Sequence, residues 1–248
     1  MVFPVKIRRA SGPLTVTEIS QGLTLAVQNA RSLLDDADLL AKRESPAGAA
    51  SLALAALQEV GKFSLLIAMA RTEPALSAHW ERHWQAFYQH DAKNTYALAT
   101  TIPGRYRRKL SQFEGVMGNL KGRQGRDFEL LRRMSLYLDF DAKERAWYYP
   151  RAFDRETFKS LYGIADVAIA SAEKLLAMGL CRPEVLQLER EVFGPFMASI
   201  DLADVKGSFT AQYEAVVKSY AARLVEAGFV RTDSDIELAG RKLSDWVD

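Results

Sequence analysis

The chain's three histidines, His79, His83 and His90, fall close together. Read as one helix from Pro74 to about Thr100, at about 100° per residue, they share a stripe with Lys93. Trp80, Trp84 and Phe87 occupy the adjoining face, so the stripe borders apolar surface, where partial desolvation tunes an imidazole. His79 and His83 stand four apart, yet His79-Trp80-Glu81-Arg82-His83 lacks the HExxH order of a zinc helix. No metal and no cofactor are expected.

A second group precedes it. Glu59 interrupts an apolar stripe of Leu52, Ala56, Phe63 and Leu66, and Lys62 follows it three residues later. His90 and Lys93 repeat that spacing. If the two helices pack antiparallel, both pairs face one groove, where His90 moves a proton, the lysines hold a phosphate and Glu59 orients or charges the imidazole. On spacing alone, the more common use of the same four side chains is a salt-bridged network that keeps two helices in register. Asn29 is a further polar intrusion among Ala26, Ala30 and Leu33, while Tyr137 and Asp139 fall on one side of an extended segment.

The strongest electrostatic signal lies between these groups. Arg105, Arg107, Arg108, Lys109, Lys121, Arg123 and Arg126 face a single acidic residue, Glu114, and Arg133 extends the charge. Such a basic loop can follow a phosphate backbone without reading sequence, or simply be solvated. The whole chain has 33 basic against 31 acidic residues, a net +2, so any attraction to nucleic acid is local. The single cysteine, Cys181, excludes a disulfide framework within the chain and suits a reducing cytoplasm. There is no Walker loop, GxSxG elbow or dinucleotide fingerprint. No signal peptide or membrane span is expected.

The elements that must hold these residues are helices. Thr15 and Glu18 form a capping box for a helix to about Ala41, and Ser45-Pro46 opens a second, running to about Ala70. Asp154 caps a helix that ends at Gly179. Beyond it, one helix follows Pro183 and breaks at Gly194-Pro195, another runs from about Ser208 to Ala227, and a third begins at Ser234-x-x-Glu237. The class is all-α, with residues 15–179 as the main unit and residues 180–248 as a helical extension packed on it.

Four segments resemble one family. They are Asn29-Ala30 with Leu33-Leu34 and Asp36-Ala37; Leu57-Gln58-Glu59-Val60-Gly61-Lys62, similar to EExGK; Phe87-Tyr88-Gln89-His90-Asp91-Ala92-Lys93, an F-x-x-H-x-x-K pattern; and Arg133 to Asp139 with Trp147 and Pro150, similar to R-x-x-x-LYVD before a Trp and Pro. Together, over roughly residues 20–178, they resemble the AbiV family of abortive-infection proteins in the HEPN superfamily. The resemblance implies a HEPN-like bundle that acts after phage infection by arresting growth or translation. It also implies a homodimer, an RNA or ribosome-associated target and a phage protein as activator, with no membrane. Many superfamily members are metal-independent ribonucleases with an R-x4-6-H motif, which is missing here: seven residues separate Arg82 from His90 and Arg71 from His79. Gln58 also replaces the first Glu of EExGK. The expected RNA-cleaving or RNA-binding residues are therefore His90, Lys93, Glu59 and Lys62, supported by Asn29, Tyr137 and Asp139. The alternative is a non-catalytic module that binds a phage protein or the translation machinery through Trp80, Trp84 and Phe193.

Overall fold

The computed structural model describes residues 9–100, 131–133, 135–136, 139–141, 145–148, 150, 154–199, 209–232, 237–238 and 241–242. The fold is all-α. Helix α1 spans Val16–Lys42, and its start is the expected capping box: the Glu18 N–H donates to Thr15 Oγ1 (3.2 Å) and the Thr15 N–H donates to Glu18 Oε2 (2.8 Å). Helix α2 spans Pro46–Ala70 with proline in its first turn. Ser45 holds the N-cap position without its hydroxyl capping the helix.

Helix α2 is apolar nearly all round, which requires burial on every side. It is long and apolar enough to cross a membrane, but 67% of its most apolar window is buried inside the protein, as the central helix of the bundle. Helix α5, Arg155–Ala177, packs against both α1 and α2. Ala30, Leu34 and Ala37 of α1, Ala53, Leu54 and Leu57 of α2, and Leu161, Ala165 and Ile169 of α5 form one core cluster. The alanines let the three backbones approach while the larger side chains fill the gaps between them.

The stretch expected to be one helix from Pro74 to Thr100 is two. Helix α3, Ser77–Tyr88, ends at Gln89, whose φ of −96° and ψ of 129° are extended, and α4, His90–Thr100, begins at once. The common azimuth assigned to His79, His83 and His90 does not survive this break. Burial of Trp80 and Trp84 holds α3 in place, and α4 then turns to lie against α2. No glycine or proline marks the break, so helical periodicity ran through it.

Helix α5 starts at the Asp154 cap, whose carboxylate accepts from the Thr157 N–H at 2.6 Å, and ends in a Schellman motif at Gly179, φ 72°. Helix α6, Pro183–Ser199, does not break at Gly194-Pro195 as expected. Proline usually ends a helix, but Phe193 and Phe196 on either side are both buried, and that apolar burial favours continuity. Helix α7, Phe209–Glu226, packs on α6 and is followed by Gly228 at φ 70°. Two short antiparallel hairpins complete the described residues: β1 (Asp139–Asp141) with β2 (Ala146–Tyr148), and β3 (Glu237–Leu238) with β4 (Arg241–Lys242). The helix expected from Ser234 is therefore contradicted at Glu237, which is in β3. Gly240 falls between the paired Leu238 and Arg241, where it weakens a helix and suits a tight turn.

Helix α6 is fixed to the bundle by charge as well as packing. Arg71 at the end of α2 bonds Glu189 on α6 (2.7 Å), and its guanidinium lies 4.5 Å from the Phe193 ring centroid. Arg190 donates to the Ala70 carbonyl at 3.1 Å and the Leu14 carbonyl at 3.3 Å, tying α6 to α2 and the N-terminal segment.

The tightest helix contact is between α2 and α4 at Gly61. A Cβ there would fall on the Lys93 carbonyl and lie 2.9 Å from Lys93 Cα, so backbone meets backbone. Gly61→Ala is therefore expected to lower stability by about 3 kcal/mol, since neither backbone can yield as a side chain would. Gly163→Ala on α5, where a Cβ meets nothing within 4 Å, should instead add about 0.5–1 kcal/mol. Urea unfolding of the two variants checks both signs; equal effects would remove the close approach as a constraint.

Candidate active site

The Gly61 contact sets the first turn of α4 against the 58–62 turn of α2. His90 is the first residue of α4, and its Nδ1 lies 2.8 Å from Gln58 Oε1. Gln58 is buried while His90 is exposed, so the imidazole stands at the mouth of the contact with one edge held inside. Lys93 is buried, with its backbone over Gly61. Lys62 bonds Glu59 at 2.6 Å, and its ammonium lies 5.7 Å from the Phe87 ring centroid. Glu59 and Lys62 are 15% and 27% exposed, so this pair faces outward from an otherwise buried helix.

Four expected residues, Glu59, Lys62, His90 and Lys93, thus lie on two touching turns. Their pairing differs from expectation. Glu59 is engaged by Lys62, and the residue that meets the imidazole is Gln58, one helical step away. A residue at i+1 on a helix points about 100° from its neighbour, so Gln58 faces α4 while Glu59 faces outward. Gln58 was legible only as a departure from EExGK; its buried position facing α4 was hidden until α3 and α4 were separated.

The supporting residues do not join this group. Asn29 is exposed on α1. Asp139 is in β1, backbone-paired opposite Tyr148, and Tyr137 lies outside the described residues. Arg105, Arg107, Arg108, Lys109, Arg123 and Arg126 also lie outside them. Arg133 is exposed on a helical stretch docked on α2 by a buried Ser51–Ser135 hydroxyl pair. The Ser135 hydroxyl donates to the Arg132 carbonyl at 2.8 Å, so Ser51 donates to Ser135.

His79 and His83 belong to a different neighbourhood. His83 is buried; the Thr72 hydroxyl donates to the Ala68 carbonyl at 3.0 Å, so His83 Nε2–H donates to Thr72 Oγ1 at 3.0 Å. Burial, with a smaller contribution from His79, pushes the His83 imidazole down to about 4. No group of three or more His, Cys, Asp or Glu able to hold a metal occurs among the described residues. Trp80, Trp84 and Phe193, the expected docking anchors, are all buried. The Trp80 indole donates to the Glu73 carbonyl at 3.0 Å and the Trp84 indole to the Gly12 carbonyl at 2.8 Å, so both serve the fold.

The His83 shift has a definite sign. Its folded pKa, about 4, is below the ordinary value near 6.5, so the unfolded chain binds more protons between these values. Stability contributed by neutral His83 is complete above about pH 6.5 and falls with acidification by up to about 1.4 kcal/mol per pH unit. His83→Gln, which keeps a donor for Thr72, should flatten the urea midpoint between pH 6.5 and 4. An unchanged slope would place the acid sensitivity elsewhere.

No curated protein and no solved structure matches the chain significantly. Residues 18–170, more than half of the chain, match the family model described as AbiV. That stretch holds all but the first two residues of α1, the whole of α2 to α4, both turns of the candidate site and most of α5, and the chain belongs to the AbiV family of abortive-infection proteins in the HEPN superfamily.

Proposed function

We propose that this chain is a phage-defence effector that arrests growth by cleaving RNA, without a metal, at the paired turns of α2 and α4. The observation that carries the reading is the exposed His90 held on its inner edge by buried Gln58, with Lys62 and Lys93 on the same two turns. An imidazole is the side chain best suited to proton transfer near neutral pH, and ammonium groups stabilise charge developing on a phosphate.

The reaction needs little else. His90 takes the proton of a ribose 2′-hydroxyl as O2′ bonds to phosphorus; the bond from phosphorus to O5′ breaks, the departing oxygen gains a proton from water, and the hydroxide left behind takes the proton back from His90. The products are a 2′,3′-cyclic phosphate and a 5′-hydroxyl. Lys62 serves the phosphate from the mouth, where the Glu59 carboxylate holds it until a phosphate competes. Arg133 and the basic residues 105–126 extend the binding surface along the RNA backbone. A homodimer, a ribosome-associated RNA and a phage protein that triggers the effector complete the proposal.

The test uses purified full-length protein with total RNA in EDTA. Cleavage should persist without divalent metal and leave cyclic phosphate ends. His90→Ala should reduce it by about 100-fold or more, and should abolish growth arrest in infected cells. Folding should change by about 1–3 kcal/mol, the cost of leaving the buried Gln58 oxygen without its partner. Intact RNA with wild-type protein, or full arrest by His90→Ala, would overturn the reading.

A further inference from the structure

The contact between Gln58 and His90 defines more than position. A carboxamide oxygen only accepts, so the proton in the 2.8 Å contact between Gln58 Oε1 and His90 Nδ1 is carried by the imidazole. We propose that Gln58 is a positioning residue that locks His90 in its Nδ1–H tautomer, making Nε2 the nitrogen that takes up and returns the proton. This rests on the reading of His90 as the proton-transfer group.

The lock has the properties such a role requires. Gln58 is 5% exposed and lies on α2 one turn before Gly61, where the backbone of α4 is seated, so neither partner can drift. The bond also survives the reaction. Nδ1 carries hydrogen in both the neutral and the protonated ring, so proton uptake at Nε2 leaves the contact to Gln58 intact. With the amide turned the other way, its NH₂ would donate to Nδ1 and every protonation would break the contact.

Gln58 keeps this arrangement at a cost. Its Nε2 is buried with no hydrogen-bond partner, a penalty of about 1–3 kcal/mol. A leucine of similar volume would avoid that penalty beside Leu54 and Leu57, both in the core. A purely structural contact gives no reason to retain the amide, whereas a tautomer lock needs its oxygen. The amide adds no charge to a neighbourhood that already holds Glu59 and Lys62 on α2 and Asp91 and Lys93 on α4. Glu59 is engaged by Lys62, and Asp91 accepts from the Ala92 N–H at 2.9 Å.

The experiment is nitrogen NMR of the imidazoles in full-length protein labelled on histidine, with His79→Gln and His83→Gln used to assign the signals. At pH 8 the wild-type His90 ring should show a protonated Nδ1 and an unprotonated Nε2. Gln58→Leu should release the lock and shift the ring toward Nε2–H, with helical circular dichroism retained. Gln58→Glu should keep Nδ1–H and raise the His90 titration midpoint by about one pH unit or more, and the acidic limb of RNA cleavage should move by the same amount. An Nε2–H ring in the wild-type protein, or one tautomer common to wild type and Gln58→Leu, would overturn the lock. A locked ring in a protein that leaves RNA intact would overturn the cleavage reaction alone, so the two failures are distinct.

Discussion

The absence of a side chain at Gly61 is the constraint on which the rest depends. Because the Lys93 backbone occupies the space a Cβ would fill, α4 can approach α2 closely. That approach brings His90 within hydrogen-bond reach of Gln58, and it leaves Lys93 buried on the same turn. An ordinary side chain at 61 would hold the helices apart by more than the tolerance of a hydrogen bond, whose strength falls steeply beyond about 3.2 Å. The candidate site is thus assembled by backbone packing at Gly61.

Helix α3 makes that packing possible by staying out of it. Its aromatic face is tied down from both ends: the Trp80 indole donates to the turn after α2, the Trp84 indole donates to the Gly12 carbonyl, and the Tyr88 hydroxyl accepts from the Ala10 N–H. Phe87, partly buried against the same cluster, lies under the Lys62 ammonium. With α3 fixed, the chain can change direction only at Gln89, and one extended residue there separates the two helices. The buried His83–Thr72 bond belongs to this anchoring layer. Two neighbouring histidines in sequence, His83 and His90, therefore acquire opposite environments, one dry and structural, the other exposed and held at one edge.

The helices were legible wherever a local signal coincided with an apolar period. The Thr15–Glu18 box, the Asp154 cap and the Gly179 terminus all behave as their chemistry dictates, because each satisfies backbone groups within a few residues. Elements set by distant contacts were not legible. The break at Gln89 and the passage of α6 through Pro195 follow from what is buried around them, and no residue at either place announces it. At the site, the residue types and the 58–62 and 90–93 segments could be read, since ionisable side chains on an apolar helix are conspicuous. The pairing could not. It required knowing that α4 starts afresh at His90, which rotates the imidazole away from Glu59's azimuth and onto Gln58. Asn29 misled for the converse reason: alanine and leucine flank it on α1, but its own azimuth faces solvent.

The identity of residue 58 also bears on how a phosphate could be accepted. Glu59 and Lys62 largely neutralise each other, being joined at 2.6 Å in a half-buried setting. A carboxylate at 58 would leave the two turns with a second negative charge beside the imidazole, where it would oppose an incoming phosphate and favour a permanently protonated ring. A neutral amide avoids both consequences while preserving an acceptor for Nδ1–H. The substitution that removes a carboxylate from the EExGK pattern therefore need not disable the site: it exchanges a charged partner of histidine for an uncharged one, and leaves the balance of formal charge on these α2 residues to the Glu59–Lys62 pair.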